Sequence, residues 1–112
     1  MWNRDLPHDV RQALFGGSGA VRVWSLVAGP RAPFAAVLAC ELDPGGRVGA
    51  HVQELHAEVV IVVEGDGRLT VNGAVAAVGP GGVVELPLGE SLAIENASND
   101  RPLRYLIIKA GG

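Results

Sequence analysis

The sequence predicts an all-β domain preceded by one short helix, and three observations lead to this prediction. From Ala20 onward, short β-favouring runs are separated by turn residues every eight to twelve positions or so, with no sustained helical periodicity. Glycine and proline account for 16 and 7 of the 112 residues, which indicates many turns. Residues 59–63 are apolar at every position, as in a strand that is buried on both faces. The expected architecture is a small barrel or a packed sandwich.

The length and composition favour a single small domain. We expect it to span residues 1–112, with an N-terminal segment over 1–19 and a barrel over 20–109. Hydrophobic residues make up 48% of the chain, enough for a core, and the net charge is −3. The nine basic residues form no run, which argues against nucleic-acid binding. No apolar run is long enough for a membrane span, and the single Cys40 has no disulfide partner, so we expect a soluble cytoplasmic protein.

The first predicted element is a short helix over residues 5–17. Its N-cap is Asp5 or Leu6. Pro7 takes an early position and Gly16 supplies the stop, which is the usual placement of these two residues in a helix. We therefore expect one helix before the barrel.

Nine strands follow, each bounded by turn residues. Residues 65–67 and 72–73 can supply the positive φ angles that tight hairpins need, so residues 57–78 should form a meander. The apolar run 59–63 within it would need its outer face covered by another sheet or by a partner. The predicted strands cover residues 21–27, 34–42, 49–53, 57–64, 68–72, 74–78, 83–86, 91–96 and 103–109.

Two of the three histidines lie just before the apolar strand, close to other side chains that can bind a ligand. His51 and Gln53 are two residues apart, so on a strand both side chains point to the same face. Glu58 begins the next strand and can face them across the sheet. A ring nitrogen, an amide oxygen and a carboxylate would then converge inside a barrel.

The spacing of these residues resembles the first sequence motif of the cupins. That motif runs glycine, five residues, histidine, one residue, histidine, three or four residues, glutamate, six residues, glycine. Glutamine replaces the second histidine here, and the matching positions are Gly45, His51, Gln53, Glu58 and Gly65. The second cupin motif is also partly present, with Leu92 at its histidine position. Its other matching positions are Gly81, Pro87, Gly89 and Asn96.

The resemblance covers roughly residues 20–109 and implies a double-stranded β-helix barrel of the cupin, jelly-roll-like type. It also implies a divalent metal, commonly iron, manganese, nickel or zinc, held by two histidines and a glutamate of the first motif and a histidine of the second. Only His51 and Glu58 keep the ligand type, whereas Leu92 has no donor atom. We therefore expect a reduced metal site of His51, Gln53 and Glu58, with open positions of the kind that catalytic metals keep.

The role of His56 is open to more than one interpretation. If its strand begins early, His51, His56 and Glu58 would form the two-histidine, one-carboxylate set of non-haem iron sites. In cupin register His56 instead lies in the connecting turn at the barrel mouth. There it is either a general base, which makes it our candidate catalytic residue, or a solvent-exposed histidine. Without a metal, His51 and Glu58 could hydrogen-bond to each other as a polar plug in the barrel.

The expected function is the binding of a small organic molecule in a mostly apolar pocket, because Leu92 would replace a metal ligand with an apolar wall. One hypothesis is a metal-dependent enzyme of dioxygenase, isomerase or decarboxylase type, which are activities that the resemblance implies. The alternative is metal-free binding or sensing without catalysis, and a third possibility is a structural domain. We also expect a homodimer formed through sheet edges, with the segment around Trp2 and Leu6 as a possible cover.

Overall fold

Ten strands and one short 3₁₀ turn make up the secondary structure of residues 1–29 and 33–111, the part of the chain that the computed structural model describes. All nine predicted strands are present, four of them with the predicted bounds. The strands are β1 (Asp9–Gln12), β2 (Ala20–Ser25), β3 (Phe34–Leu42), β4 (Arg47–Val52), β5 (Glu58–Glu64), β6 (Gly67–Val71), β7 (Ala74–Val78), β8 (Val83–Leu86), β9 (Ser91–Asn96) and β10 (Leu103–Ala110).

The strands form two antiparallel sheets that share one core. The larger sheet has the order β1-β2-β3-β10-β5-β8, and the smaller has the order β4-β9-β6-β7. Buried apolar side chains from both sheets pack together, among them Leu42 and Val60 from the larger sheet and Leu69 and Ile94 from the smaller. The all-β prediction is therefore confirmed, and the sheets enclose an interior as expected for a jelly roll.

The prediction of a helix over residues 5–17 is wrong. β1 lies within this range and pairs with the edge of β2, and a 3₁₀ turn follows at Leu14–Gly16. Ala13 and Phe15 adopt left-handed φ angles of 48° and 52°, which an α-helix cannot contain. The pairing with β2 satisfies the backbone polar groups that a helix would have satisfied internally. Within the described residues, no helix has the length and apolar character needed to cross a membrane.

Residues before β1 lie over the outer face of the larger sheet. The indole N–H of Trp2 donates a 2.9 Å hydrogen bond to the carbonyl of Cys40 on β3. The indole N–H of Trp24 on β2 donates another, also 2.9 Å, to the carbonyl of Asn3. Trp2 therefore covers part of this sheet, whereas Leu6 remains 50% exposed.

Glu41 is buried beneath this N-terminal segment. Its carboxylate accepts a 2.6 Å hydrogen bond from Arg4 and a 2.9 Å hydrogen bond from Arg104 on β10. Burial would raise the pKa of Glu41, but the hydrogen bonds from the two guanidinium groups outweigh burial and hold the pKa below its ordinary value. Glu41 is thus a buried charge whose partners are supplied by the fold.

Only the inner face of β5 is fully buried. Val60 and Val62 are 0% and 1% exposed, whereas Val59 and Ile61 on the outer face are half-buried and Val63 is 40% exposed. The sequence predicts that both faces of this strand are buried. Within the described residues, this prediction holds for the inner face and not for the outer face. Cover by a partner, and with it the homodimer, stays a prediction.

Residues 13–19, which we call the strap, lie tightly across β4. Backbone hydrogen bonds of 2.9 and 2.8 Å join Ser18 and Arg47 in both directions. A Cβ atom at Gly17 would overlap the carbonyl oxygen of Arg47, and one at Gly49 would overlap a carbonyl oxygen of the strap. The absence of a side chain at both glycines permits this close approach of two backbones.

Candidate functional site

A cavity of about 360 Å³ lies between the two sheets. Its walls come from β2, β3 and β10 on one side and from β4 and β9 on the other, with the strap and residues 53–57 at its rim. Most of its lining side chains are apolar. Leu92 lies in the wall directly opposite His51 in the β4–β9 register, which confirms that the second-motif position faces the pocket.

His51 and Gln53 are brought together as the sequence predicts. The amide nitrogen of Gln53 lies 2.9 Å from Nε2 of His51 and donates to it, so the neutral ring carries its proton on Nδ1. Nδ1 is buried and has no hydrogen-bond partner. The backbone of Gly49 is near enough to raise the pKa of the ring in part, but Nδ1 has no hydrogen bond to it. Burial lowers the pKa of His51 below its ordinary value, so the neutral ring is favoured.

Glu58 is the first residue of β5, and its side chain is turned into the same cavity. It is only 4% exposed, and its Oε2 atom has no hydrogen-bond partner. Burial raises its pKa above the ordinary value, against the opposing charge of Lys109, its neighbour on β10. Glu58 therefore tends to hold a proton that a carboxyl on the surface would release.

His56 lies in the segment between β4 and β5, where the cupin register places it. It is half-buried and lines the cavity, and its Nδ1 atom is buried without a hydrogen-bond partner. The interpretation of His56 as a solvent-exposed histidine is therefore wrong, since its side chain contributes to the cavity wall. Its role as a general base stays a prediction.

The structure also bears on the alternative metal site. Among residues 1–29 and 33–111, no three His, Cys, Asp or Glu side chains lie close enough together to hold a metal ion. His51, His56 and Glu58 thus share the cavity without forming a two-histidine, one-carboxylate cluster. The expected set of His51, Gln53 and Glu58 includes an amide and is not tested by this result, so it stays a prediction.

Sequence reasoning did not identify Phe15 as a site residue. Its ring stacks on the imidazole of His51, with ring centroids 4.1 Å apart and planes 17° apart. Phe15 belongs to the strap, and the close crossing at Gly49 brings it to β4. Gly49 within a predicted strand was the available sequence signal, because such a glycine often marks a bulge or close backbone approach. The register of β4 with β9 does shift between Val48 and His51.

Tyr105 lies on the face of β10 that points into the cavity. The alternation of Arg104 and Tyr105 predicts that one of them faces inward, and the structure places Tyr105 in the cavity wall and Arg104 outside. Burial raises the pKa of Cys40, which pairs with Tyr105 across β3 and β10, to about 12. Cys40 is therefore a thiol at neutral pH and serves as a small apolar residue.

Two basic side chains also line the cavity, and the sequence did not indicate either. Arg11 comes from β1, the strand that was predicted to be helix, and Lys109 comes from the end of β10. A helix over residues 5–17 would not have placed Arg11 in register with Val21, whose side chain lines the same cavity.

The chain is similar to one protein family and to several solved structures. The family model described as "Cupin domain" matches residues 38–109. No protein of curated function matches the chain. A Thermotoga maritima structure described as a predicted oxalate decarboxylase is 25% identical, with a TM-score of 0.89 over 96% of this chain and 95% of that chain.

Two further solved structures illustrate the range of similar proteins. A cupin 2 conserved barrel domain protein from Salinispora arenicola is 28% identical, with a TM-score of 0.66 over 79% of this chain and 74% of that chain. KdgF from Halomonas sp. is 18% identical, with a TM-score of 0.70 over 91% of this chain and 87% of that chain, which is similarity of fold alone.

Proposed function

This chain belongs to the cupin family, and from that premise we propose that it binds a small organic ligand in the barrel cavity. One observation carries the proposal. Among the described residues, four buried side-chain polar atoms lack a hydrogen-bond partner, and three of them belong to residues that line this one cavity. The three atoms are His51 Nδ1, His56 Nδ1 and Glu58 Oε2.

Unpartnered polar atoms are costly in a folded protein. Each buried donor or acceptor without a partner costs about 1–3 kcal/mol, and the great majority in native proteins are satisfied. Three such atoms around one cavity indicate that something else completes them. A ligand with its own donors and acceptors would do so, while its apolar part would contact the wall around Leu92. The cavity volume of about 360 Å³ suits a small molecule.

The same groups are suited to moving a proton. Glu58, whose raised pKa favours the protonated form, can donate a proton, and an imidazole nitrogen of His56 can accept one. We propose His56 as the catalytic residue if the protein is an enzyme, since it lies at the rim where a ligand enters. Isomerisation or decarboxylation of the bound molecule would use such a donor and acceptor pair, and simple binding would not.

A metal-assisted form of this function is the second candidate. His51 Nε2 and the Gln53 amide are 2.9 Å apart, which is also the spacing of two neighbouring ligands on an ion with bonds of about 2.1 Å. Rotating the amide would present its oxygen, and Glu58 has a free carboxyl oxygen in the same cavity. A divalent ion held by these three residues would act as a Lewis acid on the ligand. Leu92 leaves the fourth family position without a donor.

An NMR titration tests ligand binding in the cavity. Small neutral, acidic and basic organic molecules are added to ¹⁵N-labelled protein, and amide shifts are followed. We expect shifts to cluster on residues around the cavity. Ile107→Phe should abolish them by filling the cavity, whereas Ile108→Phe, on the next residue and the opposite face of β10, should not. Shifts that survive Ile107→Phe, or no shifts at all, would contradict the proposal.

Metal analysis separates the two forms of the proposal. Protein purified without a polyhistidine tag is analysed for iron, manganese, nickel and zinc, and then titrated with Zn²⁺ by calorimetry. The metal-assisted form requires one ion per chain, lost in His51→Ala and kept in Val52→Ala, which removes an apolar side chain but no ligand atom. Absence of stoichiometric binding in the wild-type protein leaves the metal-free form.

A further inference from the structure

We propose that the ligand of this cavity carries an aromatic ring, and that Phe15 determines this specificity by stacking on that ring at the cavity mouth. The inference rests on the proposed function, because it names the class of molecule that the same cavity takes. Two independent observations carry it. The backbone holds Phe15 in a costly conformation, and the Phe15 ring lies at the rim without filling the core.

The backbone of the strap is strained at Phe15. This residue has φ 52° and ψ 37°, in the left-handed region, and Ala13 adopts a similar conformation with φ 48°. A residue with a Cβ atom is disfavoured there, most of all a bulky one. The paired hydrogen bonds between Ser18 and Arg47 hold the strap in this path. Strained residues of this kind concentrate at ligand clamps and active sites, where the surrounding structure imposes them.

The exposure of Phe15 shows that core packing does not account for this strain. Leu14, the preceding residue, is partly buried and packs against the core, and so it anchors the strap. Phe15 is 53% exposed, and its ring stacks on the imidazole of His51. Since His51 covers one face of the ring, most of the exposed area belongs to the opposite face and the edges. The strap thus presents a flat aromatic surface at the rim of the cavity.

Other apolar side chains continue this surface around the mouth. Val52 at the end of β4 and Leu55 in the segment before β5 line the same cavity and are 50% and 82% exposed. Scattered exposed apolar residues are normal, but a group of them around one opening indicates a binding site. The group is continuous with the apolar wall at Leu92, which favours a molecule that enters the cavity over a second protein chain.

The Phe15 ring distinguishes an aromatic ligand from an aliphatic one of similar size. Two aromatic rings attract each other in offset-stacked or edge-to-face arrangements, and this attraction adds to the free energy gained by burying their area. An aliphatic ring gains from burial alone. The free face of Phe15 offers such a contact to a planar ring at the mouth, while a polar group on the same ligand reaches the unpartnered atoms inside the cavity.

Benzyl alcohol and cyclohexylmethanol are matched neutral probes that test this inference. Each is titrated into ¹⁵N-labelled protein, and the shifts of amides around the cavity give the dissociation constants. We expect benzyl alcohol to bind about threefold to tenfold more tightly, as one aromatic contact produces. Cyclohexylmethanol has the larger apolar surface, so burial alone would give the opposite order. Nuclear Overhauser effects should also join the ring protons of benzyl alcohol to those of Phe15.

Three variants assign the preference to Phe15. Phe15→Leu keeps an apolar side chain without a π system, so it should abolish the preference and leave cyclohexylmethanol affinity within about twofold of wild type. Phe15→Tyr keeps an aromatic ring and should retain the preference. Phe34→Leu removes an exposed aromatic ring on β3 outside the cavity, and this matched control should also retain it. Thermal unfolding checks that each variant keeps the fold.

The outcomes separate this inference from the proposed function. If cyclohexylmethanol binds as tightly as benzyl alcohol, or if the preference survives in Phe15→Leu, the inference is wrong and the proposed function stands. If neither probe binds, the inference is also wrong, and the wider set of small molecules decides the proposed function. A dimer that Phe15→Leu converts to a monomer in sedimentation would show that a second copy covers the ring, which overturns the inference as well.

Discussion

Glu41 and Glu58 are two buried glutamates of the same sheet, and the fold treats them in opposite ways. Glu41 faces outward beneath the N-terminal segment, where Arg4 and Arg104 supply hydrogen bonds. Glu58 faces the cavity, and one of its oxygens has no partner. Their exposures are nearly equal, at 3% and 4%, but the pKa of Glu41 is lowered and that of Glu58 is raised.

The difference teaches that burial by itself does not identify a functional carboxyl. Both carboxyls lose water, and that loss favours the neutral form in each case. The protein compensates Glu41 with two cations and leaves Glu58 largely uncompensated. A carboxyl that is buried without partners lowers stability, and such positions concentrate at sites that bind or react. Substitutions of Glu41, of Glu58 and of residues around the cavity each test this contrast.

Removing the charge of Glu41 should have the largest effect on the free energy of unfolding. Glu41→Gln should lower the free energy of unfolding at pH 7 by about 2–3 kcal/mol, because two charge-assisted hydrogen bonds are weakened. Urea unfolding measures this loss. Glu64→Gln is the control, since Glu64 also binds Arg104 but is 58% exposed, and it should cost about 0.5 kcal/mol.

The loss in Glu41→Gln should also depend on pH in a defined direction. The pKa of Glu41 is lower in the folded chain than its ordinary value of 4.5. Its contribution is therefore complete above pH 4.5 and disappears as the pH falls through the folded pKa. The difference between wild type and Glu41→Gln should shrink in acid, and a constant difference from pH 7 to pH 3 would contradict the assignment.

Disturbing the cavity without touching either carboxyl should have the next largest effect. In Gly49→Ala the new methyl group overlaps the carbonyl oxygen of Phe15, so the strap must move, and we expect a loss of about 2 kcal/mol. Gly79→Ala is the matched control, because its Cβ would meet no atom within 4 Å. Equal melting temperatures for the two variants would show that the strap is not held against β4.

Neutralising Glu58 should change the free energy of unfolding by a smaller amount, and it should raise stability instead of lowering it. Glu58→Gln should raise the free energy of unfolding at pH 7 by about 1 kcal/mol, because a carboxyl that is costly to ionise is replaced by a neutral amide. The folded pKa is raised, so wild-type stability from this group falls as the pH rises from about 4.5 through the folded pKa. The gain should therefore vanish near pH 4. Glu85→Gln, on the exposed face of β8, should show no such gain.

The smallest effect is expected from Phe15→Ala. Loss of the stack should cost about 0.5 kcal/mol, because Phe15 is already 53% exposed. Water would then reach His51, and its lowered pKa should rise toward the ordinary value of 6.5. An NMR titration of the imidazole signals measures the shift. Phe34→Ala, at an exposed position on β3, should leave the His51 pKa unchanged, and an unmoved pKa in Phe15→Ala would show that the ring does not shield His51.

The strands after residue 20 could be predicted because local signals and tertiary structure agree there. Runs such as β7 and β9 have β-favouring side chains and turn residues at both ends. Residues 5–17 carry conflicting signals, since Pro7 and Gly16 match the ends of a helix. Pairing with β2 decides the outcome, and this pairing is a long-range event that a local pattern does not contain.

The candidate site shows the same division between local and long-range information. His51, Gln53, Glu58 and Leu92 could be found by register, and the structure turns His51, Glu58 and Leu92 toward one cavity. Arg11 and Phe15 could not be found, because they reach the cavity from a segment whose path depends on the crossing with β4. Lys109 could not be found either, because the sequence of the last strand does not show whether its lysine points into the barrel or out of it.

The crossing of the strap over β4 has a practical consequence for protein engineering. Libraries designed to change what the cavity accepts would naturally vary positions near His51, and Gly17 and Gly49 fall inside that window. A methyl group at either one would shift the backbone that carries Phe15, so most such clones would lose the cavity before any new preference could be selected. Holding both glycines constant leaves Leu92, Ile94 and Ile107 as the side chains to diversify.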